Sequence, residues 1–493
     1  MKYLVYSNTG LSSKQIGLTA QFVADCHESG DELKIVQCDN VLTNCIFNPV
    51  HNQIACAICQ SRSQVLYNQI GLKSDNFIKL KATKFDYKVP NFSNLDELMN
   101  YNYEGINVGR GAASSILSYY KDYQLNSKKY GEIIELELRK AINVYLNFKE
   151  ILNREKPDKV ILFNGRFSEV MPLFDYCSVN NQDFSVLEAG AQNKYELYEN
   201  CFPHSIKYRT KITEELWDKE PNVELKEKVG HDWFVKKRFG DETFDKSYLK
   251  NQEKGKLPKT FDKNKRNILI LNSSEDEMKV IKEWKSKIFE NQNSSVELIL
   301  QHFIENKKIH FFLRAHPNLD VPGNIQMEEL YSMDYPNLTI IKPNEEIDTY
   351  AMIDSCEKTI TFGSTAGIEA TYWGRPSILI GKAYHSLMEN TAYKPESFEE
   401  VFILIEDEKL KSMSQSACLP YGYYYSNVGK ESKDFVFNGL NNSTFKGKRI
   451  KKWYPSTFLF LIRYSVSVKK WFFAYKAFYG KRLNLKDLFR YRP

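Results

Sequence analysis

Two short stretches hold the groups in this chain best suited to gripping a phosphate: Arg314-Ala315-His316-Pro317 and, further along, Gly363-Ser364-Thr365-Ala366-Gly367-Ile368-Glu369. An Arg fork pairs with phosphate oxygens. An imidazole donates to a phosphate or to a leaving group. Gly363 and Gly367 let backbone amides come close to a ligand. Ser364 and Thr365 add hydroxyls at the start of a helix, where free amides and the helix dipole favour an anion. Glu369, about one turn in, suits the diol of a ribose. The same small residues also suit a plain strand-to-helix turn with Ser364 as N-cap. The pair is more specific than either half, because each follows an apolar run.

Those runs are Ile309-His310-Phe311-Phe312-Leu313 and Thr359-Ile360-Thr361-Phe362. They read as buried, neighbouring parallel strands whose carboxyl ends carry the polar loops. Further strands are expected near 267–272, 338–341 and 377–380. Helices are expected near 277–288, 293–306, 346–355, 366–373 and 398–413. The first half reads likewise. Strands at 2–7 and 33–38 flank a helix at 13–29, without the glycine fingerprint of a dinucleotide site. A long amphipathic helix covers 131–154 and stops at Pro157. The strand 159–163 breaks at Asn164-Gly165-Arg166, and the strand 184–187 ends at Glu188-Ala189-Gly190. The chain is therefore an α/β protein, expected as domains 1–255 and 256–445 with a tail, 446–493.

The pair His316-Pro317 and Ser364-Thr365 resembles the HP and S-S/T motifs of bacterial capsule-polysaccharide glycosyltransferases of the sialyl- and Kdo-transferase kind, which use CMP-sugars. Ile270-Leu271-Asn272-Ser273-Ser274-Glu275 resembles the first strand and loop of the same domain. The resemblance implies a GT-B fold, two Rossmann-like domains facing a cleft, with the nucleotide-sugar donor on the C-terminal one. It implies that His316 contacts the donor phosphate, that Ser364 and Thr365 hold it, and that Glu369 holds the ribose. Ser273, Ser274 and Pro317 fall in the same donor-binding loops. No match to the acidic-acidic-Gly motif of several sialyltransferases is present, so the donor sugar is not specified.

In a transferase of this kind the acceptor hydroxyl must lose a proton, for which a carboxylate base is expected. Glu188 is the first candidate and Glu169 the second, with Asn164 and Arg166 on the acceptor side. Glu188 also suits a turn cap, and Arg166 an ordinary ion pair. Gly109-Arg110-Gly111 suits a phosphate turn or a helix start. Cys38, Cys45, Cys56 and Cys59, in a segment (38–65) expected to be irregular, make a structural zinc a candidate. Buried apolar cysteines are the alternative. No cofactor is expected to be needed for catalysis.

At 42% hydrophobic residues, the 493-residue chain can bury two cores. Its N-terminus turns polar too soon for a signal peptide, and no apolar run is long enough for a membrane span. A cytoplasmic location is expected. Residues 446–493 hold 14 Lys or Arg and one acid, Asp487, for a net charge of +13 against +6 for the whole chain, leaving residues 1–445 at −7. Mixed with Trp453, Trp471, Phe472 and Phe473, these cations suit a helical tail on a membrane surface. Packing on the body is the rival, and nucleic acid is not expected as a partner. Walker A, His-Glu-x-x-His and nucleophile-elbow patterns are missing from the sequence, which argues against P-loop, zincin and hydrolase chemistry. No Asp-x-Asp motif is evident, which points to metal-independent transfer. The expected function is transfer of a nucleotide-activated sugar to a glycan or lipid-linked acceptor. The alternatives are a CDP-polyol phosphotransferase of the teichoic-acid type and a non-catalytic capsule assembly or export factor.

Overall fold

A computed structural model describes residues 1–42, 44–49, 51–190, 193–239, 251–321, 323–438 and 442–450. The described residues divide into two compact units: one from 1–189, 193–203 and 430–450, the other from 190 and 204–429.

The first unit opens with β1 (Lys2–Tyr6), α1 (Ser13–Glu28) and β2 (Glu32–Gln37). Then come α2 (Gln53–Ile70), β3 (Phe77–Lys79), α3 (Leu95–Met99) and a small hairpin, β4 (Asn102–Tyr103) and β5 (Ile106–Asn107). They are followed by α4 (Gly109–Tyr120), α5 (Ser127–Glu155), β6 (Lys159–Phe163), α6 (Met171–Val179), β7 (Phe184–Ala189) and β8 (Lys194–Glu199). Strands β3, β2, β1, β6 and β7 lie side by side and parallel, and β8 follows antiparallel to β7. The order reverses between β1 and β6, as in a doubly wound fold.

The second unit holds α7 (Ile206–Lys219), α8 (Val223–Phe239), β9 (Arg266–Leu271), α9 (Glu275–Met278), α10 (Gln292–His302) and β10 (Ile309–Arg314). Next are α11 (Ile325–Tyr331), β11 (Leu338–Ile341), α12 (Thr349–Ser355), β12 (Lys358–Thr361), α13 (Ala366–Tyr372) and β13 (Ser377–Leu379). Helices α14 (Phe398–Glu406) and α15 (Gln415–Asn427) complete it. The sheet is all parallel, in the order β11-β10-β9-β12-β13. Ile268, Leu269 and Ile270 at its centre are fully buried. Each contributes about 1.5–3 kcal/mol of burial free energy. Alternate residues face two apolar clusters: Ile268 and Ile270 on one side, Leu269 and Leu271 on the other.

The α/β class and both doubly wound halves agree with the sequence. The unit boundary differs from the expected 255/256. Residues 206–239 pack within the second unit, where Phe234 stacks on Tyr372 at 3.9 Å and joins Trp233, Leu419 and Tyr421 in one core. The chain then returns: β14 (Lys430–Glu431) pairs with β8, and Phe435 packs in the first core. After β15 (Phe435–Val436) and β16 (Thr444–Phe445), β17 (Lys448–Arg449) and buried Ile450 still belong to that unit. The tail therefore starts later than 446, and residues 451–493 lie outside the described residues.

Two local expectations also change. Half of the segment expected to be irregular is helix, because Asn52 caps α2 by accepting the N–H groups of Ile54 and Ala55. The helix expected at 277–288 shrinks to α9 and a short turn at Lys282–Trp284, and Lys279 Nζ donates across this segment to the carbonyl of Glu290 at 2.7 Å.

Candidate active site

The carboxyl ends of β9, β10 and β12 carry the loops that resembled the donor site. The expectation that the HP and Ser-Thr strands are neighbours is corrected: β9 lies between β10 and β12. Two strand spacings, about 10 Å, separate the motif loops. The β9 loop is what ties them. Asn272 Oδ1 accepts the backbone N–H of His316 at 2.8 Å. On the other side, a Cβ on Gly363 would sit 3.2 Å from Ser273 Oγ and 2.9 Å from the carbonyl of Lys382, so glycine permits that close approach. The site falls at the switch point between β9 and β12, where open parallel sheets bind ligands.

The β9 loop is rigidly held. Gln292 of α10 accepts the N–H of Ser273 and donates to its Oγ, both at 2.9 Å. Gln326 of α11 donates to the Ser273 carbonyl at 2.9 Å and accepts the N–H of Glu275 at 3.0 Å. Ser274 donates to Asp276 and is buried. Burial also lifts the Glu275 carboxyl above its ordinary range. Periodicity gives no hint of Gln292 or Gln326; both are buried polar residues whose partners come from another element. Asn272 sits in the expected loop, at the position directly after a buried strand.

His316 caps the Pro317–Leu319 turn, its Nδ1 accepting the N–H of Asn318 at 3.2 Å. In the neutral ring this fixes the proton on Nε2, which is then the donor. Ser364 Oγ accepts the N–H of Ala366 at 3.2 Å, which is the plain turn geometry read as the alternative. Thr365 Oγ1 donates to Glu369 Oε1 at 3.2 Å.

Two expected ligand groups are occupied differently. Arg314 is buried and donates to the carbonyls of Ile347 at 3.0 Å and Glu345 at 3.1 Å, bracing the turn that leads into α12. Its strand position aims it at that turn because it shares the β10 face of Phe312, not that of Leu313. Glu369 accepts from Tyr350 with one oxygen and from Thr365 with the other, so here it fixes the Thr365 hydroxyl.

In the first unit, Glu188 lies at the end of β7, partly exposed. Asn164 Nδ2 donates to its Oε2 at 2.8 Å and the Ala189 N–H to its Oε1 at 3.0 Å. Desolvation outweighs these bonds and raises its pKa above the usual carboxylate range, with Glu196 across the β7–β8 pair adding to the rise. Asn164 has a left-handed backbone, and its Oδ1 accepts the Arg166 N–H at 3.3 Å. The Arg166 guanidinium lies over the Phe167 ring, 4.8 Å from its centre.

Glu169 is corrected as a base candidate. It is 1% exposed and shares Lys140 with Glu137: Nζ lies 3.3 Å from Glu169 and 2.8 Å from Glu137. Its other oxygen accepts the Ile46 N–H at 3.0 Å. Burial disfavours the Lys140 charge, but the two carboxylates outweigh it and hold the ammonium protonated well above neutral pH. Asn44 and Ser168 complete this dry network, which pins the Cys-rich loop. Gly109-Arg110-Gly111 is explained by packing, since a Cβ on Gly109 would meet the Leu98 carbonyl at 1.8 Å.

The four cysteines carry free thiols. Burial raises all four, Cys59 to about 12, and Cys56 accepts from Asn48 at 3.2 Å. Among the described residues no three His, Cys, Asp or Glu side chains are grouped to hold a metal ion. Among them, too, no helix is long and apolar enough to cross a membrane.

No curated protein matches the sequence. Solved structures that match this chain include the Thermosulfurimonas dismutans KpsC, beta Kdo 2,4 transferase, at 12% identity over 63% of this chain and 88% of that one, TM-score 0.37. The beta Kdo 2,7 transferase of the same organism is 11% identical over 65% and 89%, TM-score 0.34. The UDP-GlcNAc 2-epimerase from Neisseria meningitidis is 12% identical over 86% and 97%, TM-score 0.25. Residues 243–400, which carry both motif loops and every strand of the second unit's sheet, match the family described as capsule polysaccharide biosynthesis protein, so the resemblance read from the motifs holds over that segment.

Proposed function

We propose that this chain is a glycosyltransferase of capsule polysaccharide assembly that takes a nucleotide-activated sugar, a CMP-sugar by preference, and extends a glycan or lipid-linked acceptor. One observation carries the reading: the HP loop and the Ser-Thr loop flank the same buried strand end, tied through Asn272 on one side and packed on Ser273 on the other. The spacing suits a phosphodiester or pyrophosphate seated between them.

In the reaction, the acceptor oxygen attacks the anomeric carbon and the bond from that carbon to the donor phosphate oxygen breaks. The electron pair leaves with the phosphate. His316 Nε2 and the hydroxyls of Ser364 and Thr365 stabilise the charge that develops there. The acceptor proton goes to Glu188, whose raised pKa brings it nearer the range of an effective base. Fixed donors do the work that a metal ion does in other transferases.

Calorimetry of the full chain against CMP, CDP, UDP and GDP tests the reading. Binding of at least one, with CMP tightest, is the expected result. No binding of any of the four would overturn it.

A further inference from the structure

A cleft of about 370 Å³ opens at the amino ends of β9 and β12, the opposite end of the sheet from the motif loops. Its walls come from three places: the start of β9, the turn between α12 and β12, and the turn between α13 and β13. Four cations line it, Lys263, Lys265, Arg266 and Arg375, against a single carboxylate, Glu357.

That carboxylate is already engaged. Arg266 grips Glu357 in a fork at 2.7 and 2.8 Å, and Lys358 Nζ lies 2.6 Å from the same group. Lys358 also donates to the carbonyls of Ile405 and Asp407, so this floor is fixed. A further acid, Glu408, is an exposed side chain 3.8 Å from Arg266. Among the described residues, Lys263, Lys265 and Arg375 have no carboxylate partner within ion-pair distance. Arg375 is half-buried, so its charge is only partly screened by solvent.

One lining residue also carries a buried acceptor. Asn267 is 4% exposed; its Nδ2 donates to the carbonyls of Asp262 and Lys265, and its Oδ1 has no hydrogen-bond partner. A buried acceptor without a partner is costly unless a ligand or water supplies a donor. Phe261, half-buried and stacked on Phe312, adds an apolar wall. Unpaired cations, one orphan acceptor and one aromatic wall match an anion that also carries hydroxyls and an apolar face. The volume lies at the lower end of small-molecule pockets, which start near about 300 Å³.

We infer that this cleft is a second binding site, separate from the motif loops, for an acidic sugar bearing a carboxylate or a phosphate. The carboxylate form belongs to a unit of an acidic glycan. The phosphate form belongs to a free sugar phosphate. Lys263, Lys265 and Arg375 hold the anion, and Asn267 Oδ1 receives a hydroxyl.

Saturation-transfer NMR and calorimetry on the full chain, with glucuronate, glucose 6-phosphate and glucose as probes, test this. At low salt, one or both acids bind and glucose does not. Arg375→Ala and the double change Lys263→Ala with Lys265→Ala each weaken acid binding about tenfold, as loss of a charge-assisted contact does. The variants keep wild-type melting curves and nucleotide binding, which separates this site from the motif loops. Preference for glucuronate assigns the glycan unit, and preference for glucose 6-phosphate assigns the free phosphate. Failure of both acids to bind, equal binding of glucose, or acid binding untouched by these substitutions overturns the inference.

Discussion

The side chain of Asn272 accepts the backbone N–H of His316 at 2.8 Å, and this bond couples the end of β9 to the HP loop. The imidazole is thereby positioned from a strand that holds no motif histidine. His316→Ala is expected to cut turnover by about 10²-fold or more, the usual effect of losing a donor at a departing oxygen. Asn272→Ala should lower turnover less and leave the pH profile unchanged in form, because it moves the donor without removing it. His316→Ala should stay folded, with a slightly lowered melting temperature from the lost cap on the Asn318 N–H; full activity in that variant would rule out its role.

Glu188 gives a pH signature. Its carboxyl is raised by burial, and a base works only when deprotonated. Activity should fall with decreasing pH along a limb displaced above the ordinary carboxylate range, and Glu188→Gln should be nearly inactive with that limb gone. Stability runs the opposite way. At low pH the group is neutral in both folded and unfolded chains and contributes nothing. As pH rises from the unfolded value through the raised folded value, the fold takes on the cost of the desolvated charge. Glu188→Gln should therefore be slightly more stable than wild type at neutral pH and equal to it in acid. Urea titrations at both pH values measure this.

Lys140 sits between two carboxylates with all three side chains dry. Lys140→Met removes the cation and leaves Glu137 and Glu169 facing each other. The expected loss is about 3–5 kcal/mol, as for other broken buried ion networks. Glu169→Gln keeps an acceptor for the Ile46 N–H and should cost less. A Glu169→Gln variant that stayed folded yet lost the acidic limb of the rate profile would restore it as the base.

Arg314 gives its N–H groups to two backbone carbonyls. Arg314→Met should lower stability by about 1–3 kcal/mol through the unsatisfied carbonyls of Glu345 and Ile347. Nucleotide affinity should change much less than in a Ser364→Ala, Thr365→Val double variant. A large affinity loss with unchanged stability would reassign Arg314 to the phosphate.

Residues 451–493 carry eleven Lys or Arg and one acid. Because Ile450 is part of the first core, truncation must begin after it. Removing 451–493 should abolish flotation with anionic vesicles at low salt and leave the melting curve intact. Flotation that persists without these residues counts against membrane attachment by the tail.

Sequence by itself determined the two αβ series, the long helix that α5 realises, and the loops at the ends of β9, β10 and β12. Each is written locally, as apolar periodicity broken by small or polar residues. It also pointed to Glu188 through its place at the end of a buried strand. Tertiary structure alone decided that β9 lies between the two motif strands, since strand order depends on which crossovers pack, not on the order of residues. It alone decided the fates of Arg314, Glu169 and Glu369, whose partners Ile347, Lys140 and Tyr350 come from other elements. A buried charge or hydrogen-bonding group takes whatever partner the fold brings near it, and nothing in its own neighbourhood along the chain names that partner.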